Sequence, residues 1–172
     1  GEDVSALDMI ALVQSQFVQR GLEKPLFIYV PRAPERFDVV AEIIAEKSLS
    51  YAKRSDVLDA LLQIKSETGN AKTDIAKIDI NGLDIVLGDS LGEMYFYLDL
   101  CDLAIVGGGF CPKGSHNISE PICLKKPVII GPNDSTIEFP AREAIAAGLC
   151  EKLDFSGLAH RLTHSPAAPP TE

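Results

Sequence analysis

Short apolar runs alternate with segments of helical period along this chain, and that alternation restricts the fold more than any single motif. Leu26–Val30, Ile85–Leu87, Leu103–Val106 and Val128–Ile130 are unbroken apolar runs bounded by proline, glycine or polar residues. Such runs suit strands buried on both faces. Leu49–Ala52 is compatible with a further short strand. Between them, Val4, Leu7, Ile10, Ala11 and Phe17 recur at helical spacing, which predicts a helix from about Asp3 to Gln19 with Gly21 as its stop. Further helices are expected from Phe37 to about Lys47, through Tyr97–Leu100, up to Leu124, from Ile137 to Ala147 with Gly148 as cap, and from Phe155 to Leu162. The expected fold is α/β, a Rossmann-like open parallel sheet with helices on both faces.

At 172 residues the chain suffices for one domain with a sizeable core. We expect that domain to cover 1–164, with a less ordered excursion at 55–81 and a disordered Pro-rich tail at 165–172. Within the excursion, Val57, Leu58, Leu61, Leu62 and Ile64 suggest a brief helix and Ser66–Asn70 a loop. No apolar run approaches a membrane span, and no basic stretch followed by an apolar core opens the chain. The opening Gly1-Glu2-Asp3 lacks an initiating Met, so the chain reads as a fragment or processed form. Sixteen Lys plus Arg against 25 Asp plus Glu give a net charge of −9, which argues against nucleic acid or an anionic membrane as partner through bulk charge. Cys101, Cys111, Cys123 and Cys150 show no C-x-x-C spacing and no clustering with the three histidines. A zinc site is therefore not expected, and free thiols are.

Open parallel sheets bind ligands at the carboxyl ends of their strands. Three polar turns fall at that edge: Pro31–Arg36, Gly88–Glu93 and Gly107–Glu120. The last is the most distinctive, Gly107-Gly-Gly-Phe-Cys-Pro-Lys-Gly-Ser-His-Asn-Ile-Ser-Glu-Pro121, a glycine-rich turn between a strand and a helix start and so a candidate anion site. Asn117 and Glu120 have capping-box spacing. The stretch is not a P-loop, because Ser115 and His116 stand where Lys and Ser or Thr are required, and Pro112 occupies the third glycine of a dinucleotide fingerprint. Arg32 lies nearest its strand end, where its planar fork could reach a phosphate. Arg36 is expected to pair with Glu35 or Asp38. Asp89 and Glu93 are either an acid/base pair or ordinary acidic residues of a helix's first turn. His116 suits support of the turn or donation to a ligand oxygen. His160 and His164 are assigned nothing.

Together these segments resemble the C-terminal half of the bacterial 3-deoxy-D-manno-octulosonic acid (Kdo) transferases. The matching residues are Val30–Phe37, Gly88–Glu93, Gly107–Gly109 with Gly114–Pro121, and Lys126–Pro132. Their order and spacing carry the likeness, which spans about Gly1 to Gly148. The resemblance implies one half of a GT-B glycosyltransferase, the domain that binds the CMP-Kdo donor. The whole enzyme would move Kdo onto a lipid A precursor at the cytoplasmic face of the inner membrane. It would use no cofactor and no metal. Its catalytic base, acceptor site and membrane contact would lie in an N-terminal domain outside this chain, leaving this part soluble and inactive alone. By the same likeness Pro31 and Arg32 would contact the donor phosphate, and Leu91, Gly92 and Glu93 would line the cytidine pocket. Asn117, Ile118, Ser119 and Glu120 would complete the site, with Asn117 near the phosphate and Glu120 on the ribose, and Ser115 and His116 are additional candidates. Ala33, Leu91, Gly109, Ser115 and Ser119 depart from the family's usual residues, and Ser115 matters if that backbone needs a positive φ. The alternatives are a donor domain for another nucleotide sugar, such as a UDP-hexose, and a non-catalytic α/β interaction module.

Overall fold

The computed structural model describes residues 1–57 and 80–164. The chain opens with helix α1 (Glu2–Gln19), then strand β1 (Phe27–Tyr29), a 3-10 turn (Pro34–Arg36), α2 (Phe37–Glu46) and β2 (Tyr51–Lys53). After a second 3-10 turn (Ile80–Gly82) come β3 (Ile85–Leu87), α3 (Met94–Leu100), β4 (Ala104–Val106), α4 (Ser119–Cys123), β5 (Val128–Ile130), α5 (Glu138–Ala146), β6 (Cys150–Lys152) and α6 (Phe155–His164). Most of the expected excursion and all of the expected tail lie outside the described residues.

Among the described residues all strand pairs are parallel, as the alternation requires, but the ladders form two three-stranded sheets rather than one: β1-β3-β2 and β4-β5-β6. Ile85 pairs with Phe27 on one side and Tyr51 on the other, and Val128 pairs with Ala104 and Cys150. The strand period of two sorts side chains between faces. Ile85 and Leu87 of β3 and Ile129 of β5 enter one core with Leu7, Ile10 and Val13 of α1, Val40 and Ile44 of α2, and Leu158 of α6. Val86 points to the other side, against Phe96 and Leu100 of α3, while Val128 and Ile130 meet Ile118, Ala141 and Ala144. Helices therefore cover both faces, and a single core runs beneath both sheets.

Three expectations need correction. First, the Leu26–Val30 run is half-buried, whereas β3 and β5 are buried throughout. Second, the expected strands omitted β6, which carries no apolar run: Glu151 and Lys152 are exposed and only Cys150 enters the core, as an edge strand with one covered face allows. Third, α6 continues past Leu162 to His164. The glycine stops act as read: Gly21 N–H donates to Val18 O, and Gly148 N–H to Ile145 O.

Asp84 ties the amino ends of the first sheet together. Its carboxylate accepts from Lys24 Nζ at 2.6 Å and from both the amide and hydroxyl of Ser50 at 2.9 Å, while its carbonyl accepts from Phe27 N–H at 3.0 Å. Burial works to raise the Asp84 pKa, but Lys24 and Ser50 outweigh it and hold the group below its ordinary value. A depressed folded pKa stabilises fully above the ordinary value of 3.8 and is lost as pH falls through the folded one. We predict that Asp84→Ala costs about 3 kcal/mol in urea unfolding at pH 7, and that the difference from the parent shrinks below pH 4.

Candidate functional site

Because all strands are parallel, the turns after β1, β3 and β4 leave from carboxyl ends, and specific contacts draw them together. Arg32, exposed after β1, places Nη1 2.9 Å from Nδ1 of His116 in the glycine-rich loop. This contact joins two of the three expected turns across the two sheets. An arginine only donates, so His116 Nδ1 is the acceptor and the imidazole is neutral there. Burial first, and the Arg32 charge second, hold the His116 pKa below its ordinary value, against an opposing pull from Glu2.

The glycine-rich loop is shaped by its own backbone. Gly108 and Gly114 both have φ of +86°. A Cβ on Gly108 would lie 2.4 Å from Gly114 O, and one on Gly114 would lie 2.6 Å from Thr136 Cγ2. Ser115 is not among the residues of positive φ, so its departure from the usual glycine adds no backbone strain. It is buried, its N–H donates to Asn133 O, and its carbonyl accepts from the Thr136 hydroxyl at 2.5 Å. Its own Oγ is buried with no hydrogen-bond partner among the described residues. Asn133, just beyond β5, also donates through its backbone N–H to Gly109 O at 2.9 Å and through Nδ2 to Cys111 O at 3.2 Å.

Several amides that the sequence offered to a ligand are thus used inside the protein. His116 N–H donates to Gly107 O, and Gly108 N–H to Glu2 Oε1 at 2.6 Å. The capping box does not form: Ile118 is the N-cap of α4, and Asn117 instead accepts from Ser119 N–H at 2.9 Å in an Asx turn. Asn117 and Ser119 are exposed, Glu120 half-buried and Ile118 buried in the second core.

In the middle turn, Asp89 and Glu93 do not face each other as an acid/base pair. Asp89 accepts from Ser55 N–H at 3.1 Å and from its hydroxyl at 2.7 Å, while Glu93 pairs with Arg54 and accepts from Ser90 Oγ. Between them Leu91 is 65% exposed, a large apolar side chain offered to solvent beside Gly92. Pro31 is buried. Arg36 pairs with Asp3 rather than Glu35 or Asp38, and Asp3 also accepts from Tyr29 OH at 2.7 Å.

Glu2, Asp3 and Asn133 are the site residues that sequence reading missed. From sequence alone none of the three receives a role. Among the described residues no three His, Cys, Asp or Glu side chains come together to hold a metal ion. No helix among them is long and apolar enough to cross a membrane.

No protein-family profile matches the chain. Over 148 residues, 86% of its length, it is 36% identical to the 3-deoxy-D-manno-octulosonic acid transferase of Bordetella pertussis. Over 115 residues it is 35% identical to the protein of the same name from Haemophilus influenzae. These matches cover 30% and 22% of the two relatives, so the chain spans less than a third of their length. In structure it is similar to the C-terminal CMP-Kdo binding domain of WaaA from Acinetobacter baumannii, with a TM-score of 0.66 and 26% identity over 88% of this chain and 71% of that one.

The Arg32–His116 contact makes a spectroscopic prediction. His116 should titrate by NMR below the ordinary value of 6.5, and Arg32→Ala should move it upward by removing the nearby positive charge. Stability linked to neutral His116 should be present above that ordinary value and fall away as pH drops through the lowered one.

Proposed function

We propose that this chain, a homologue of the Kdo transferases, is the donor-binding domain of a glycosyltransferase that uses CMP-Kdo. The observation that carries this reading is Arg32 on His116 at 2.9 Å, which brings a phosphate-type side chain to the glycine-rich loop. Arg32 would hold the donor phosphate in a charge-assisted contact, with Pro31 fixing the turn that presents it and His116 set beside it. Asn117 and Ser119 would close over the phosphate at the start of α4, with Ile118 anchoring that turn in the second core, and Glu120 would accept from the ribose hydroxyls. Leu91, Gly92 and Glu93 would receive the cytidine. The exposed Leu91 supports this, because a stacked base would cover apolar surface now in water. Ser115, whose buried hydroxyl lacks a partner among the described residues, is the remaining contact.

In the reaction, the bond from Kdo to the CMP phosphate breaks while the acceptor hydroxyl attacks. Negative charge grows on the leaving phosphate, and the Arg32 guanidinium is suited to stabilise it without a metal ion. The base that takes the acceptor proton, the lipid A precursor site and the inner-membrane contact would belong to the rest of the full-length enzyme. This domain alone would bind nucleotide and transfer nothing.

Titration calorimetry with CMP, UMP and UDP tests the donor. We expect CMP to bind most tightly, with Arg32→Ala and Glu120→Ala each weakening it by about tenfold or more, as loss of a charged hydrogen bond does. A clear preference for UDP would replace the donor in this reading. No nucleotide effect on melting at millimolar ligand would favour a non-catalytic module.

A further inference from the structure

The turn after β2 also leaves at the carboxyl edge, beside the middle turn after β3, and it holds both acids of that turn. Lys53 pairs with Leu87 at the end of the two strands, so Arg54 and Ser55 emerge next to Gly88 and Asp89. Asp89 accepts from the amide of Ser55 at 3.1 Å and from its hydroxyl at 2.7 Å, and Glu93 accepts from Arg54 Nη2. Leu91 and Gly92 lie between these two anchors, Gly92 with a φ of +76° and Leu91 in solvent. The exposed stretch is therefore held at its ends, and the exit of β2 supplies a hold at each.

The second oxygen of Glu93 is fixed separately. Ser90 Oγ donates to Glu93 Oε2 and lies 2.8 Å from Tyr97 OH. A hydroxyl has one proton to give, so with Ser90 donating to the carboxylate, Tyr97 donates to Ser90. Tyr97 is buried, and burial holds its phenol above the ordinary value, so it keeps that proton. Glycine at 88 makes room for the ring, since a Cβ there would lie 3.1 Å from Tyr97 Cζ. Arg54 closes the network from the other side. Its side chain is 18% exposed, and its Nε is buried with no hydrogen-bond partner among the described residues. Surface ion pairs contribute little, but removing one partner of a pair this sheltered leaves the other charge uncompensated.

We propose that Arg54 is a positioning residue for the nucleoside half of the ligand: acting through Glu93, it sets the Leu91–Glu93 turn that receives the base. This role rests on the donor-binding reading above for the occupant of the turn, not for the contacts that shape it. Arg54 itself is badly placed for the phosphate. In the order β1-β3-β2 its strand stands two spacings from that of Arg32, on the order of 10 Å, and its Nη2 is already on Glu93. The pairing has a second effect. It neutralises Glu93, so an anionic nucleotide meets no uncompensated carboxylate at that position.

NMR titration of the 172-residue chain with cytidine and with CMP tests this role. Arg54→Gln should weaken both ligands by the same factor, about tenfold, as loss of one charged hydrogen bond does. Arg32→Ala should instead weaken CMP and spare cytidine. Glu93→Gln should give a loss similar to that of Arg54→Gln, and combining the two should cost little more, because the arginine acts through the acid. In the free chain, the backbone order parameters of Leu91 and Gly92 should fall in Arg54→Gln, with those of Gly108 and Gly114 unchanged. That readout needs no ligand, and if UDP is the preferred nucleotide, uridine and UDP replace cytidine and CMP in the titrations. A wrong donor therefore leaves the role of Arg54 decided. Should Arg54→Gln fail to fold, Arg54→Lys, which keeps the charge but not the planar fork, carries the same comparison. A loss confined to CMP would make Arg54 a phosphate contact and overturn the inference. So would additive losses in the double variant, or unchanged order parameters at Leu91 and Gly92.

Discussion

The shape of the ligand edge depends on one close approach of two backbones. At Gly131, where β5 ends, a Cβ would lie 2.2 Å from the carbonyl carbon of Gly109 and 2.4 Å from Phe110 N. No side chain fits there, so the glycine-rich loop can fold down onto the end of β5. Once it does, Asn133 can hold it at Gly109, Cys111 and Ser115, and the loop turns through Gly108 and Gly114 in a conformation open to glycine. His116 then meets Arg32, whose own turn leaves the other sheet. The meeting of the two turns is a downstream result of glycine at 109 and 131.

This explains how the loop accommodates the positions at which it departs from the pattern its resemblance implies. The strained conformations fall on Gly108 and Gly114, both still glycine, and Ser115 sits in ordinary backbone. Gly109 itself has Asn133 O 3.0 Å and Gly131 N 3.1 Å from where a Cβ would stand, so the glycine here matches the tight packing around it.

What could be read from the sequence was local. The apolar runs of β3 and β5 and the period of α1 each report a buried face, and burial of that kind is written in consecutive residues. The three turns followed from parallel topology, because any parallel sheet gathers its exits at one edge. Lost to the sequence were features set by distant partners. Glu2 reaches Gly108 across 106 positions and Arg32 reaches His116 across 84. Neither separation leaves a pattern, and Arg36 chose Asp3 over the acids beside it for the same reason. Strand β6 was missed because an edge strand with Glu151 and Lys152 in solvent needs only Cys150 to anchor it. The division into two sheets was also invisible, since an apolar run does not say which strand lies beside it.

Glu2 gives the glycine-rich loop an unexpected property. Its carboxylate already rests on Gly108 N–H at 2.6 Å, with the Cys111 thiol 3.5 Å from its other oxygen. An amide that already holds an anion is not a vacant receptor. A phosphate arriving at Gly108 would perform a substitution, displacing one acceptor by another while a second negative charge crowds the loop. Affinity at that amide would then measure how much better the newcomer is held than the resident acid. Glu2 of α1, resting on Gly108 N–H, would then hold the loop's shape whenever no such anion is bound.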